Sequence, residues 1–296
     1  MNKKRQIIRT AIATISIGAT LGLSACGGNN GDGNSAPASG APSQGTPPPS
    51  STPPASAIRV EGQSQSISSQ YSTVRILMPP ASWKGGQIPI GSYTLVAQSQ
   101  SRAALKEQKP GAYVSIPYDS SGTIKTLSNG VVTDIAGNGD IAIGRWADGS
   151  DSSGATYNAN QGQVWAIGAP IAIDTSSPVQ MQCSLAYATR PTSVDGNTAP
   201  GSLKSATASL TNGTDAFGNP DVNYALHLQY SIGSDQDQSF DGNSQVGLTQ
   251  MSSKTKSTLM STVMGPDAKQ PYLVVSYAIP ATTTGDVNGL VALRCK

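Results

Sequence analysis

Short apolar segments separated by turn residues recur from Ile58 to the end of the chain, and they are the feature that most limits its fold. In the clearest segment, every second residue from Tyr224 to Tyr230 is Tyr or Leu, and the residues between are polar or small. A period of two residues is typical of a β-strand with one buried face. Because this region is also rich in Gly, Ser and Thr and poor in charge, an all-β fold is predicted.

The second half of the chain contains enough strand candidates for a barrel. They lie at 141–146, 163–168, 180–188, 203–210, 222–232, 239–248, 272–279 and 290–295. Eight strands can close a small antiparallel barrel and remove its edges. Two stacked sheets would give the same alternation, so a sandwich stays an alternative. We predict a soluble eight-stranded antiparallel β-barrel at 138–296.

A small β-rich N-terminal subdomain is predicted to precede the barrel at 58–137, with strands at 73–78, 93–98 and 112–118 and a short helix at 101–109. Further strands are predicted at 123–127 and 131–136. Asn129-Gly130 lies between these two, and an Asn-Gly pair between apolar segments favours a tight hairpin.

The first 26 residues have the pattern of a secretory signal. Basic residues at Lys3, Lys4, Arg5 and Arg9 precede an apolar segment at 11–23, and small residues then lead to Cys26. The apolar segment is too short to span about 30 Å of hydrocarbon as a stable helix.

The sequence Leu23-Ser24-Ala25-Cys26 resembles the lipobox of bacterial lipoproteins. The resemblance implies that 1–25 is a signal peptide and that Cys26 is acylated and becomes the first mature residue. Gly27, where an Asp would signal retention at the inner membrane, implies transport to the outer membrane. Attached acyl chains contribute about 0.8 kcal/mol per buried CH₂, so several chains would hold the protein to the bilayer.

Residues 26–57 are predicted to form a disordered tether. After Cys26 they contain no aliphatic side chain larger than that of Ala, so they cannot bury enough apolar surface to offset the entropy of the chain. Removal of the signal peptide leaves 15 of the 19 basic residues against 17 acidic ones, a net charge of −2. Without a basic patch, nucleic acid is not an expected partner.

Cys183 and Cys295 remain as a pair in an oxidising compartment once Cys26 is acylated. A disulfide between them would close a loop of about 110 residues. In a simple barrel order their strands, the third and the eighth, are not neighbours, and a disulfide needs Cα atoms within about 7 Å. We favour the disulfide over two buried free thiols.

No catalytic residue, cofactor or metal site is predicted. His227 is the only histidine, and no G-x-S-x-G nucleophile motif is present, so we predict a solvated or hydrogen-bonded histidine. Asp235, Asp237 and Asp241 could approach a calcium ion, but their spacing departs from the EF-hand template. An acidic hairpin loop is the favoured interpretation.

Several short motifs of the second half are similar to those of transferrin-binding-protein-like surface lipoproteins. They are Gly144-Arg145-Trp146, Val164-Trp165-Ala166-Ile167-Gly168, Tyr187-Ala188-Thr189-Arg190-Pro191-Thr192, Gly201-Ser202-Leu203 and Val287-Asn288-Gly289-Leu290-Val291-Ala292-Leu293. The resemblance implies an eight-stranded soluble barrel on an outer-membrane lipoprotein that is exposed at the cell surface and binds a partner. Members of that family have two lobes, whereas this chain has one predicted barrel and no matching contact residue.

Together these features predict an outer-membrane, surface-exposed lipoprotein, anchored to the membrane through its lipid. It would bind a macromolecule or nutrient through barrel loops, without catalysis. The alternative is a structural or assembly lipoprotein of the cell envelope that faces the periplasm.

Overall fold

The computed structural model describes residues 58–87, 98–119, 121–215 and 217–296, all within one compact unit, Thr52–Lys296. The signal peptide, Cys26 and the tether lie outside these residues, so their assignments stay predictions. Apart from a 3-10 turn at Arg102–Ala104, the regular structure of the described part is β-strand, as predicted. Among the helices in that part, none is long and apolar enough to cross a membrane.

Every strand before residue 169 belongs to one sheet, named sheet 1. Its nine strands are β1 Ile58–Val60, β2 Thr73–Leu77, β3 Gln98–Ser101, β4 Lys106–Lys109, β5 Ala112–Pro117, β6 Ile124–Gly137, β7 Ile141–Asp151, β8 Thr156–Tyr157 and β9 Gln163–Gly168. The strand order is β3-β2-β9-β7-β6-β5-β4. In addition, β8 pairs with β7, and β1 pairs in parallel with the second half of β6.

The remaining strands form sheet 2. They are β10 Gln180–Ala188, β11 Thr192–Ser193, β12 Ser202–Thr214, β13 Pro220–Ile232, β14 Asp235–Gln245, β15 Thr249–Ser252, β16 Ser257–Met264, β17 Tyr272–Ala281 and β18 Gly285–Cys295. The order is β14-β13-β12-β10-β18-β17-β16-β15, and β11 pairs with Val287 and Asn288 near the start of β18.

Sheet 2 is a curled half-barrel, so the predicted closed barrel is wrong. The two ends of its strand path, β14 and β15, are not paired with each other. β15 has four residues and β14 has eleven, so β15 is too short to cover the edge of β14. Sheet 1 curls in the same way around its own core, and the fold consists of two antiparallel half-barrels.

The composition of the predicted barrel also needs correction. The segments at 141–146 and 163–168 belong to sheet 1, as β7 and β9, and the boundary predicted at 137/138 falls between the paired strands β6 and β7. The N-terminal part is therefore larger than the predicted 58–137: it is a nine-stranded sheet that extends from Ile58 to Gly168. The predicted barrel also lacked β15 and β16, because Ser and Thr interrupt the apolar pattern of β16, although all eight of its residues are buried.

The described part of the chain has three apolar cores, and one of them holds the two sheets together. One lies inside sheet 2, one inside sheet 1, and the third between the sheets. Alternate residues of β17 take part in two of them: Leu273 and Val275 pack inside sheet 2, whereas Tyr272 and Val274 pack toward sheet 1. Strand β17 is thus buried on both faces, which explains its continuous apolar sequence.

Two local predictions in sheet 1 are wrong. Asn129-Gly130 is not a hairpin turn but a bulge within the continuous strand β6, where Gly130 has a φ of +120° and the register with β7 shifts. The predicted helix at 101–109 is replaced by the 3-10 turn and by β4. Of the strand predicted at 93–98, only Gln98 lies among the described residues, and β3 begins there.

Cys183 and Cys295 are joined in a disulfide with an S–S distance of 2.03 Å. The geometric difficulty disappears because β10 pairs directly with β18, so that the two cysteines face each other with Cα atoms 3.9 Å apart. The chain does not follow a simple strand order: its last strand lies in the middle of sheet 2.

Candidate functional site

A pocket of about 430 Å³ opens on sheet 1 between the loop after β2 and the β7–β8 hairpin. We call it the Lys125 pocket. It is lined by Pro80, Ala81, Ser82, Lys125, Gly154, Ala155, Thr156, Tyr157 and Gln161. Its volume lies within the usual range of small-molecule sites, about 300–1,000 Å³.

Lys125 contributes the one charged side chain among these lining residues. It is the second residue of β6, and its side chain is only 12% exposed. The ammonium lies 3.5 Å from Oδ2 of Asp151 and 3.5 Å from Oε1 of Gln163, and 5.3 Å from the centre of the Tyr118 ring. Both oxygen distances exceed the usual hydrogen-bond range of about 2.7–3.2 Å, so these contacts are weak.

Asp151, at the end of β7, is satisfied by other donors. Its Oδ1 accepts hydrogen bonds from the backbone N–H of Ser153 at 2.8 Å and from the Ser153 hydroxyl at 2.5 Å, and Tyr157 donates its hydroxyl to Oδ2. Burial alone would raise the pKa of Asp151, but these hydrogen bonds and the charge of Lys125 lower it below its usual value. Burial and the bond to Asp151 raise the pKa of Tyr157.

Backbone and side-chain hydrogen bonds fix the walls of the pocket. Asp151 donates its N–H to the carbonyl of Ala155 at 3.0 Å, which closes the β7–β8 turn. Gln161 donates from Nε2 to the carbonyl of Val194 at 3.0 Å. On the opposite wall, the carbonyl of Ala81 accepts a hydrogen bond from Asn288 of β18 at 3.1 Å. The pocket is therefore preformed.

A second candidate is the end of sheet 2 at which the β12–β13 hairpin projects. Phe217 at the tip is 90% exposed. Asp215 shapes this loop, because its Oδ1 accepts the N–H groups of Phe217 and Asn219, both at 2.8 Å. Hydrogen bonds lower the pKa of the Asp215 carboxyl group, and the bond from the Asn219 side chain contributes most. The tip is thus a shaped loop that presents an aromatic ring to solvent.

Two further apolar side chains are exposed at the same end. Gln245, the last residue of β14, pairs with Asn223 near the start of β13, so the β14–β15 turn lies on the side of the hairpin tip. Leu248 in this turn is 46% exposed, and Met251 in β15 is 41% exposed. We call Phe217, Leu248 and Met251 the loop-end apolar residues.

A charge cluster around the buried side chains of Asp134 and Arg145 joins the two sheets. Asp134 of β6 has a side chain only 7% exposed, and it accepts hydrogen bonds from Nε of Arg145 at 2.8 Å and from Nε of Arg190 at 2.6 Å. Arg145 is 1% exposed and also donates to the carbonyl of Gln161 at 2.9 Å. Because Arg190 follows β10, this cluster ties sheet 2 to sheet 1.

The structure separates the polar residues that the sequence singled out. His227 lies on the outward face of β13, with Nδ1 2.8 Å from Oδ1 of Asp241. Asp235 and Asp237 belong to β14 rather than to a loop, and Asp237 pairs with Lys204. In the described part of the chain, no three His, Cys, Asp or Glu side chains come together in a group that could hold a metal ion.

Asp235 fastens the β13–β14 turn to the β17–β18 turn. Its carboxylate accepts the backbone N–H groups of Thr283 and Thr284 and the hydroxyl of Thr283. Burial opposes ionisation, but these hydrogen bonds prevail and lower the pKa of Asp235 from 3.8 to about 2.

This lowered pKa predicts a contribution of Asp235 to stability that is complete above pH 4 and is lost as the pH falls from about 4 to 2. The thermal unfolding midpoint of Asp235→Asn should therefore fall less than that of the native chain over this range. Asp237→Asn, on the same strand with a side chain 76% exposed, is the matched control. Equal acid sensitivity of the native chain and Asp235→Asn would contradict the assignment.

Most residues of the candidate sites could not be selected from the sequence. Lys125 lies 26 residues before Asp151 and meets Asp151 and Tyr157 only through the pairing of β6, β7 and β8. The sequence signal that could have pointed to such residues is a charged residue inside an apolar strand, such as Arg145 between Gly144 and Trp146.

Comparisons with protein-family models, curated proteins and solved structures each gave no match.

Proposed function

We propose that this chain is an outer-membrane lipoprotein, anchored through Cys26, that binds a macromolecule at the cell surface without catalysis. The signal-peptide pattern, the lipobox and the tether support the anchor. The resemblance of several short motifs to transferrin-binding-protein-like lipoproteins supports a binding role. The resemblance supplies no contact residue, so we infer the kind of partner from the exposed residues of this protein.

The observation that carries the binding role is the exposure of Phe217. A fully exposed aromatic ring on a shaped loop contributes nothing to the core, and large aromatic side chains are frequent anchors of protein interfaces. Leu248 and Met251 add apolar surface at the same end. A protruding ring suits a partner that offers a recess of its own, which favours a macromolecule over a small nutrient.

Protease added to intact cells tests the location. If the proposal holds, the folded region is removed from cells that carry the native chain, and Cys26→Ala is lost from the membrane fraction. Protection of the region until the outer membrane is opened would overturn the surface location and favour the periplasmic structural or assembly role instead.

A photo-crosslinking residue tests the binding surface. We expect Phe217→p-benzoylphenylalanine to give a discrete covalent adduct in living cells, because this position would lie inside the interface. The same substitution at Thr207, on the exposed face of β12, is the control. Equal adduct formation at both positions, or none at Phe217, would contradict the assigned surface.

A further inference from the structure

We infer that the Lys125 pocket binds a small molecule that carries one carboxylate group next to a short apolar body. This site lies in sheet 1, away from the loop-end apolar residues of sheet 2, and the inference does not depend on the proposed function.

The first argument is the incomplete coordination of Lys125. An ammonium group has three N–H donors, and burial without good acceptors is unfavourable. The oxygens of Asp151 and Gln163 are both 3.5 Å away, and Asp151 already receives shorter hydrogen bonds from Ser153. Lys125 therefore has donor capacity left for an oxygen of a ligand in the pocket that it lines.

The second argument concerns the charge of the ligand. The lining residues offer one cation, Lys125. Its charge is already partly balanced by the carboxylate of Asp151, 3.5 Å from the ammonium. A phosphate or another multiply charged anion is usually bound by several cations or by a cluster of backbone N–H groups. A single carboxylate needs only one cation, and two of the lining residues, Ser82 and Thr156, carry hydroxyl groups that are further donors.

The third argument concerns the rest of the ligand. Pro80, Ala81, Ala155 and the ring of Tyr157 provide apolar wall surface. Small-molecule sites typically combine such walls with a few polar groups that fix the orientation. A flat or short apolar body attached to the carboxylate would therefore be accommodated, whereas a free polar chain would gain little from these walls.

Benzoate and its uncharged isostere benzamide are suitable probes. With the full-length chain carrying Cys26→Ala, we would follow the NMR shifts of the backbone amides of Gly154, Ala155 and Thr156 during titration. Benzoate should give saturable shifts with a dissociation constant of about 1–10 mM, as expected for a fragment of this size. Benzamide should bind at least about tenfold more weakly, because it lacks the charge that pairs with Lys125.

Three variants locate the binding. Lys125→Gln should weaken benzoate binding at least about tenfold, whereas Lys269→Gln, which removes an exposed lysine, should leave it unchanged. Ala155→Leu places a larger side chain at the pocket wall while Lys125 stays in place, and it should also abolish the shifts, which guards against misfolding of the Lys125 variant. Equal binding of benzoate and benzamide, unchanged binding by Lys125→Gln, or no saturable shift up to about 50 mM benzoate would overturn the inference.

Discussion

Loss of the Cys183–Cys295 disulfide is expected to lower the free energy of unfolding by about 4 kcal/mol. The bond joins residues 112 positions apart, and a long closed loop restricts the unfolded chain strongly. The variant is Cys183→Ala with Cys295→Ala. Alanine is suitable because both cysteines are buried, at 3% and 0% exposure, and a serine hydroxyl there would need a partner. Denaturant unfolding with and without reductant measures the difference.

The same experiment includes its own control. Reductant should shift the midpoint of the native chain once unfolding has exposed the sulfurs, but it should not affect the double variant. If the native chain has the same midpoint under oxidising and reducing conditions, the bond does not contribute to stability. If the double variant still responds to reductant, the response has another source.

Asp134→Asn is expected to destabilise the fold by about 3 kcal/mol or more. Asparagine keeps the shape of the side chain and tolerates the φ of +54° at this position, so the loss of charge is the main change. Arg145, which is 1% exposed, would then remain buried without its counterion. Thermal and denaturant unfolding of the variant measure the effect.

Asp148→Asn is the matched control. Asp148 also has a positive φ, +49°, and pairs with an arginine, Arg59, at 3.2 Å. That pair is exposed, with side chains 68% and 53% accessible, so its loss should change stability by at most about 1 kcal/mol. Similar effects of the two substitutions would show that the burial of the Asp134 cluster has no energetic consequence.

The sequence was most informative where a strand has one buried face. The predicted segment 222–232 falls within β13, whose residues from Val222 to Tyr230 alternate between buried and more exposed positions. The predicted bounds 180–188 coincide with those of β10, although its alternation breaks at a bulge between Leu185 and Tyr187, and Leu185 is exposed. Strand β16 was not predicted, because Ser and Thr interrupt its apolar pattern. These residues are buried because β16 lies between β15 and β17, and some of them find hydrogen-bond partners in other parts of the chain. Ser261, for example, donates to the carbonyl of Gln245 at 3.2 Å.

Strand pairing could not be predicted from the same pattern. Alternation shows which face of a strand is buried, but it does not show which strands are neighbours or whether the two ends of a sheet meet. This limit explains both the wrong closed barrel and the assignment of β7 and β9 to the wrong sheet. It also explains why the Lys125 pocket was missed, since its residues come together only through long-range pairing.

The central position of β18 has a consequence for the order in which this protein can fold. Strands β10, β12, β13 and β14 lie on one side of β18, and β15, β16 and β17 on the other, so sheet 2 remains in two separate parts until the last eleven-residue strand is available. The disulfide, too, needs Cys295, which lies in β18. During synthesis, sheet 2 therefore cannot be completed until β18 has been made.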